Sequence, residues 1–313
     1  MFDASLYDLM METSGALSGA IIAQLRENDD FVVPPLLLQL RAGFAESPGW
    51  FLVQATEFDP QPLTVANLRV RDVYGSERLV QALLELMASE GWFDRDGERY
   101  CLTEAGRAII ERSRERRRII AARLSSLADP DLARLVELFA RLVTASLSSA
   151  TPPGTWCLAH SRHRAPEKAA PALLKLMQYF DDFNAFRDDA HMAAWQLYHV
   201  SGFAWEAFSL VWSEATHSPE EVFAHLSHRG YSKGDYAAAL QELVRRGWLQ
   251  ATTEAATFSL TEQGQAVREQ VERLTDQYFY APWSCLTEEE IAQIPMLLTH
   301  LRDQFQELET SPR

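Results

Sequence analysis

Gly91-Trp92-Phe93 and Leu102-Thr103-Glu104-Ala105-Gly106 decide the fold, because both stretches occur a second time in the chain. The second occurrence reads Gly247-Trp248-Leu249 and then Leu260-Thr261-Glu262-Gln263-Gly264. The first glycines of the two stretches are 156 positions apart and the threonines 158 apart, in a chain of 313 residues. A separation of about half the chain predicts a tandem duplication, and a repeat of this kind fixes the architecture before single elements are assigned.

Each copy predicts a helix that ends at glycine, a short hairpin and a second helix. In the first copy Val80, Leu84 and Met87 place one apolar stripe on a helix. Asp96-Gly97 is a hairpin turn signal, and Thr103 is a good N-cap residue for the helix that follows. With another short helix upstream, this order predicts a winged helix-turn-helix.

Other signals place the neighbouring helices. Thr64 and Ser218-Pro219 open a short helix ahead of each recognition helix, since serine and threonine cap helices and proline suits the first helical position. A long helix is predicted after each wing, over 104–125 and 262–280. Thr287 begins a capping box for the closing helix of the second half.

We therefore expect a mainly α fold with small β wings, built from two winged helix-turn-helix units in one chain with pseudo-two-fold symmetry. The turn-rich stretch 148–154 marks the join between them. The first unit with its flanking helices is assigned to residues 1–150 and the second to residues 151–313.

The order of recognition helix, Gly-aromatic-apolar, wing, Leu-Thr-x-x-Gly and two closing helices resembles the MarR family of transcriptional regulators. The resemblance covers about 55–155 and again 203–310. It implies a DNA-binding transcriptional regulator that a small hydrophobic or aromatic ligand controls. Two fused copies would reproduce the two-fold arrangement of a MarR-type dimer, so we expect a monomeric pseudo-dimer or a homodimer.

The candidate contacts to double-stranded DNA lie mainly in the first copy. The N-terminal part of its recognition helix carries arginine and glutamine, which can read base edges, and the resemblance implies that a wing arginine enters the minor groove. The second wing, residues 250–257, has no arginine or lysine. The alternative is that these are ordinary solvated residues among acidic neighbours. The proposed DNA-binding set is Ser76, Arg78, Gln81, Arg95, Arg99, Lys233 and Tyr236.

Aromatic residues are concentrated in the second half, where the resemblance implies a ligand pocket between the winged helix and the long helices. Tryptophan and tyrosine give a guest a large apolar contact with a polar edge. The alternative is a filled core, because aromatic residues at helical spacing usually pack against each other. The proposed ligand-binding set is Trp195, Tyr198, Trp205, Tyr278 and Trp283.

Charge and composition restrict the function classes. A net charge of −15 counts against unspecific nucleic-acid binding, although local basic patches matter more than the total. Three scattered cysteines form neither a disulfide framework nor a metal site, and no targeting or membrane segment is evident. We expect a cytoplasmic protein without a membrane anchor, metal or cofactor. The acidic residues around 181–191 are interpreted as a solvated helix face.

Two other functions remain open at this point. The protein could bind a small molecule on a winged-helix scaffold that has lost DNA binding, which the acidic balance and the second wing favour. It could also be an enzyme that uses the cleft between the halves. The chain has no dinucleotide-binding glycine pattern, phosphate-binding loop, serine-hydrolase motif or paired-cysteine motif, so the sequence offers no positive reason to claim catalysis.

Overall fold

The structure is a computed structural model that describes residues 5–26, 54–124, 130–252 and 257–310. These residues are mainly helical, with two antiparallel strand pairs. The first half of the chain contains α1 (Ser5–Arg26), α2 (Val65–Arg71), α3 (Glu77–Ser89), β1 (Phe93–Asp96), β2 (Arg99–Leu102), α4 (Glu104–Leu124) and α5 (Pro130–Leu147).

The second half continues with a short helix and a long one before the second winged helix. Its elements are α6 (Trp156–Ser161), α7 (Ala172–Trp195), α8 (Gly202–Trp212), α9 (Pro219–Leu226), α10 (Lys233–Arg245), β3 (Leu249–Ala251), β4 (Phe258–Leu260), α11 (Glu262–Tyr280) and α12 (Glu288–Thr310). We call α2, α3, β1 and β2 the first copy, and α9, α10, β3 and β4 the second copy.

Both predicted hairpins are present. In the first wing Phe93 pairs with Leu102, and in the second wing Leu249 pairs with Leu260. The first hairpin turns through Gly97 at a φ of 61°, a left-handed conformation that glycine adopts at no steric cost. The winged-helix prediction is therefore confirmed at the level of secondary structure.

The helices of the two copies begin at the residues that the capping signals predict. Thr64 and Asn67 form a capping box at α2, and Ser218 and Glu221 form one at α9. Each box satisfies two backbone N–H groups that the first turn of a helix leaves without a partner. Ser76 caps α3 by accepting a hydrogen bond from the backbone N–H of Leu79 at 3.1 Å.

The chain forms two compact units that are each assembled from separate segments. The helical unit consists of Met1–Val33, Ala108–Ala190 and Asp276–Arg313, and the winged-helix unit of Pro34–Arg107 and His191–Thr275. Both copies of the winged helix thus belong to one unit. These units follow a different division from the predicted halves 1–150 and 151–313, which stay a prediction about the repeat.

The helical unit has an apolar core to which α1, α5, α7 and α12 contribute. Phe139 and Phe183 meet edge to face with their ring centroids 4.8 Å apart. The buried hydroxyl of Thr13 in α1 donates to the carbonyl of Leu9 at 2.8 Å and lies 3.3 Å from that of Leu298 in α12.

Two aspartates of the helical unit correct the interpretation of 181–191 as a solvated face. Asp189 is buried and accepts the backbone N–H groups of Cys157 and Leu158 at 2.8 and 2.9 Å, so it caps the start of α6 from another helix. Asp182 is fully buried and accepts a hydrogen bond from Arg162 at 2.6 Å. Burial raises the pKa of Asp182, and the charge of Arg162 opposes that rise.

The winged-helix unit has a core rich in tryptophan. Trp205 stacks on Trp195 with centroids 5.9 Å apart and planes 11° apart, and it meets Trp248 edge to face at 6.4 Å. Phe208 contacts both Trp205 and Trp248, at 5.5 and 5.2 Å. Trp248, which follows the motif glycine Gly247, thus contributes to fixing the second wing on the core.

Candidate nucleic-acid interface

The Leu-Thr-x-x-Gly motif of the first copy connects the wing to α4. Thr103 donates its hydroxyl to the carbonyl of Gly91 at 2.7 Å and accepts the backbone N–H of Gly106 at 3.1 Å. A Cβ added at Gly106 would lie 2.5 Å from the carbonyl oxygen of Trp92, so only glycine allows α4 to start this close to the strand. Gly91 itself has a φ of 75°.

The motif of the second copy has the same geometry. Thr261 donates to the carbonyl of Gly247 at 2.6 Å and accepts the backbone N–H of Gly264 at 3.0 Å. A Cβ at Gly264 would come closer than 3.0 Å to the carbonyl oxygen of Trp248, and the φ of Gly247 is 76°. The repeated sequence therefore has a physical role, which is to hold each wing against the helix that follows it.

The N-terminal end of α3 contacts the second copy. The backbone N–H of Ser76 donates to the carbonyl of Arg229 at 2.9 Å, and the Ser76 hydroxyl donates to the carbonyl of Gly230 at 3.1 Å. The Arg78 guanidinium donates to the same Gly230 carbonyl at 2.9 Å. We call this set of four residues the inter-copy contact.

Two glycines of the second half of the chain allow this close approach to the turn between α2 and α3. A Cβ added at Gly230 would lie 2.6 Å from Leu79 Cβ and 2.6 Å from the Ser76 hydroxyl oxygen. A Cβ added at Gly202, the first residue of α8, would overlap the carbonyl oxygen of Val73. The turn between α2 and α3 and the start of α3 are thus packed against the second copy at Gly230 and against α8 at Gly202.

Charged and aromatic groups surround the inter-copy contact. Arg229 forms an ion pair with Glu206 at 2.8 Å, and its Nη1 lies 3.6 Å from Asp72 Oδ2. The same guanidinium lies over the Tyr74 ring, 5.5 Å from its centroid. Burial raises the pKa of Glu206, and the hydrogen bond from Arg229 opposes this rise. A partly buried arginine with two carboxylates and an aromatic face holds this turn in one geometry.

The structure separates the predicted DNA contacts of the first copy into engaged and free side chains. Ser76 is buried and, like Arg78, is engaged in the inter-copy contact. Gln81 donates to the Tyr100 hydroxyl at 2.9 Å. Arg95 donates to the Gly97 carbonyl at 2.9 Å and lies 3.4 Å from Glu85.

Arg99 differs from the other candidates. Its side chain is exposed on β2 and contacts no described residue through a hydrogen bond or an ion pair. Of the predicted contacts in the first copy, Arg99 is therefore the cation best placed to meet a phosphate group without breaking an existing interaction.

In the second copy one predicted contact is wrong. Tyr236 is fully buried, and its hydroxyl donates to the carbonyl of Leu226 at 3.1 Å, so the ring is part of the core and has no exposed surface for DNA. Burial raises the pKa of its hydroxyl. Lys233 is exposed at the start of α10 and forms an ion pair with Glu220 at 2.7 Å.

The five rings of the predicted ligand site are divided between the two cores. Trp195 and Trp205 are buried in the core of the winged-helix unit, and Tyr198 is partly buried against it. Trp283 is buried in the core of the helical unit with Tyr278 packed against that core. The structure thus gives all five rings core neighbours, and their role in ligand binding stays a prediction.

Sequence reasoning missed a buried cation and a histidine beside Trp205. Arg268 is 7% exposed and lies between the rings of Trp205 and Trp212, 4.9 and 4.8 Å from their centroids. His191 accepts a hydrogen bond from the Trp205 indole N–H at 3.1 Å. Helical spacing could have indicated the burial of Arg268, because it lies four residues after Gly264 and three before Val271, on the buried face of α11.

Comparisons with known proteins agree with the helix-turn-helix assignment. A family model described as "Helix-turn-helix family" matches residues 114–312. This is more than half of the 313 residues, so the chain belongs to this helix-turn-helix family. The matched segment contains the whole second copy and begins within α4, after the first wing.

Among solved structures, the oxidized form of MarR from E. coli is similar to this chain at 24% identity with a TM-score of 0.28. The match covers 38% of this chain and 88% of that one. No curated protein matches the sequence. Among the described helices, none combines the length and apolar character needed to cross a membrane. The described residues also contain no group of three His, Cys, Asp or Glu side chains suited to a metal ion.

Proposed function

We propose that the protein is a DNA-binding transcriptional regulator of MarR-like type that contacts duplex DNA mainly through its first copy. Membership of a helix-turn-helix family supports this proposal. The observation that carries it is the first wing, where Arg99 is exposed and unpaired among the described residues, and Arg95 is exposed as well, although it contacts Gly97, Glu85 and the Tyr100 ring. Exposed arginines on a wing suit the phosphates and the minor groove of DNA.

The inter-copy contact gives this regulator a closed state. Ser76 and Arg78 can read bases only after they leave the carbonyls of Arg229 and Gly230, so base readout by α3 requires the two copies to separate at this point. The wing needs no such change. The closed state would then bind DNA through phosphate contacts, and sequence-specific binding would need the open one.

The proposal includes the origin and assembly of the chain. We infer that the halves arose by duplication, which the matched hydrogen bonds of Thr103 and Thr261 support. A monomer would then present the two recognition helices that a MarR-type dimer draws from two chains. Three free cysteines are compatible with the proposed cytoplasmic location.

The test is a binding titration with fluorescent duplex DNA, first with genomic fragments selected on the protein and then with a random duplex. Replacing both Arg95 and Arg99 by alanine should weaken binding and flatten its dependence on salt, because fewer counterions are released. Arg273→Ala is the control, since it removes an exposed charge from α11. Equal losses in the two variants would refute a role for the first wing.

A second function is favoured by two observations. The N-terminal end of α3 is engaged by the second copy, and the second wing has no basic residues. Both features are expected of a winged-helix scaffold that has lost DNA binding. Such a protein would bind a small molecule without acting on DNA. If no selected fragment binds at low salt, even to a variant in which the inter-copy contact is broken, this second function replaces the first.

A further inference from the structure

A cavity of about 340 Å³ lies within the helical unit, between α5, the segment 162–168 and α7. This volume is at the lower end of the range of about 300–1,000 Å³ that small-molecule sites occupy. The cavity is separate from every ring of the predicted ligand set. Its floor includes Ala133, Val136 and Ala140 of α5, and its polar side includes Arg162, Lys168, Lys175 and Gln178.

Lysine is rare in this protein and is concentrated at the cavity. The chain has three lysines among its 29 basic residues, and two of them, Lys168 and Lys175, line this single cavity. The third, Lys233, lies in the winged-helix unit on an ion pair with Glu220. A flexible ammonium group differs from guanidinium in being a compact point charge, which suits an anion that is not held in one fixed plane.

The two cavity lysines are not neutralised by the residues that the structure describes. Neither Lys168 nor Lys175 forms an ion pair with a described carboxylate. Two acidic residues line the cavity: Glu137 is paired with Arg134 at 3.0 Å, and Glu167 is exposed without an ion pair to a described residue. Two unpaired lysines against one unpaired glutamate leave the cavity with an excess of positive charge, which is a local exception in a chain with a net charge of −15 and favours an anionic guest.

The buried end of the cavity offers a hydrogen-bond acceptor. Gln178 is 6% exposed, and its amide nitrogen donates to Asp182 at 2.8 Å and to the carbonyl of Ser161 at 3.1 Å. Its Oε1 accepts no hydrogen bond from the described residues, so this acceptor is available to a group that enters the cavity. A hydroxyl or amino group of a guest would supply the donor.

The remaining lining is apolar or aromatic. The three α5 side chains offer methyl groups, and Tyr179 of α7 adds an aromatic ring whose centroid lies 5.9 Å from the Arg162 guanidinium. Arg162 is itself fixed by the buried Asp182 at 2.6 Å. The guest therefore needs an apolar body that is anionic at one end and carries a hydrogen-bond donor.

We propose that this cavity binds a small amphipathic organic acid, with Lys168 and Lys175 on its anionic group, the α5 surface against its apolar body and Gln178 Oε1 on a hydroxyl or amino group. The proposal does not depend on DNA binding, and its tests contain no DNA, so the two proposals fail independently.

The scarcity of lysine makes a site-resolved test possible. Reductive methylation with ¹³C-formaldehyde keeps the charge of each lysine and gives one NMR signal for each of the three side chains. Single Lys→Arg variants assign these signals. The probe is 8-anilinonaphthalene-1-sulfonate, which combines an aromatic body, a sulfonate and one N–H group.

Titration with this probe should shift the signals of Lys168 and Lys175 with one shared affinity and leave that of Lys233 unchanged. Shifts of all three signals together would show binding to general apolar surface and would overturn the proposal. The absence of any shift at saturating probe fluorescence would place the probe elsewhere and would overturn it as well.

A second measurement separates charge from apolar contact. The neutral analogue N-phenyl-1-naphthylamine has the same rings without the sulfonate, so it should bind the wild-type protein at least about tenfold more weakly, because it cannot accept charged hydrogen bonds from the lysines. Replacing both Lys168 and Lys175 by glutamine should abolish this difference, whereas Lys233→Gln should preserve it. Equal affinities of both probes for the wild-type protein would refute the anionic site.

Discussion

The two copies share their motif geometry but differ in which of their surfaces is free. In the first copy the wing carries exposed arginines, while the N-terminal end of α3 is engaged by Gly230. In the second copy the N-terminal end of α10 is exposed around Lys233, while the sequence of its wing has no basic residue. Neither copy therefore presents a free recognition helix and a basic wing together. Two domains with the same fold can thus differ in which surface is available for binding.

The largest expected effect tests whether the two motifs are equivalent. Gly106→Ala and Gly264→Ala each place a Cβ against a backbone carbonyl that cannot move aside, so each should lower the free energy of unfolding by about 1–3 kcal/mol or more. Thermal or denaturant unfolding measures this. Gly234→Ala in the exposed first turn of α10 is the control, and it should stabilise by up to about 1 kcal/mol. If only one motif variant is destabilised, the equivalence fails.

The next prediction concerns the inter-copy contact. Gly230→Ala and Gly91→Ala both place alanine at a φ of about 75–77°, which costs about 1–2 kcal/mol. A Cβ at Gly230 would in addition collide with Leu79 and Ser76 of the first copy, whereas a Cβ at Gly91 meets nothing within 4 Å. Gly230→Ala should therefore cost more stability and raise the affinity for selected DNA about tenfold, equivalent to about 1.4 kcal/mol.

The DNA titration measures this second prediction, with Gly91→Ala as the matched control for backbone strain. Lower affinity of Gly230→Ala at unchanged fold would mean that the contact between copies supports DNA binding, which contradicts the closed state.

A smaller effect distinguishes the wing arginines. Arg99→Ala should reduce the slope of log affinity against log salt by about 1, because one phosphate contact is lost. Arg95→Ala should reduce it less, since Arg95 already interacts with Gly97 and Glu85. Gln250→Ala in the second wing should leave the slope unchanged. A larger effect at Gln250 than at Arg99 would reverse the assignment of the DNA-contacting copy.

The smallest effect is a difference in pH dependence between the copies. The hydrogen bond from the backbone N–H of His217 lowers the pKa of Glu221, whereas the Asn67 box of the first copy does not titrate. A lowered folded-state pKa stabilises the fold above the ordinary value of about 4.3, and this contribution is lost as pH falls through the folded-state value.

The Tm deficit of Glu221→Ala relative to wild type should therefore shrink as the solution is acidified, while that of Asn67→Ala should stay constant. Thermal melts over a pH series measure both. A deficit at Glu221 that does not change with pH would mean that its carboxylate contributes nothing to the cap.

Local signals made much of the fold predictable. Glycine, hairpin turn and N-cap threonine act within a few residues, so the wings and the starts of α4 and α11 follow from short segments. The inter-copy contact was not predictable, because it joins Ser76 to Gly230 through carbonyls that carry no side-chain signature. The burial of Tyr236 was predictable, since this residue continues the apolar stripe of Leu240 and Leu243. Its position in the stripe is a stronger signal than its polar hydroxyl.

The interleaving of the two units has a consequence for the time course of folding. The winged-helix unit takes segments from both sides of 108–190, and the helical unit takes segments from near both ends of the described chain. Contacts of such long sequence separation slow folding, because loop closure costs entropy before the contact forms. During synthesis α1 emerges long before α12, the helix that lies beside Thr13, so the apolar face of α1 stays without this cover until α12 has been made.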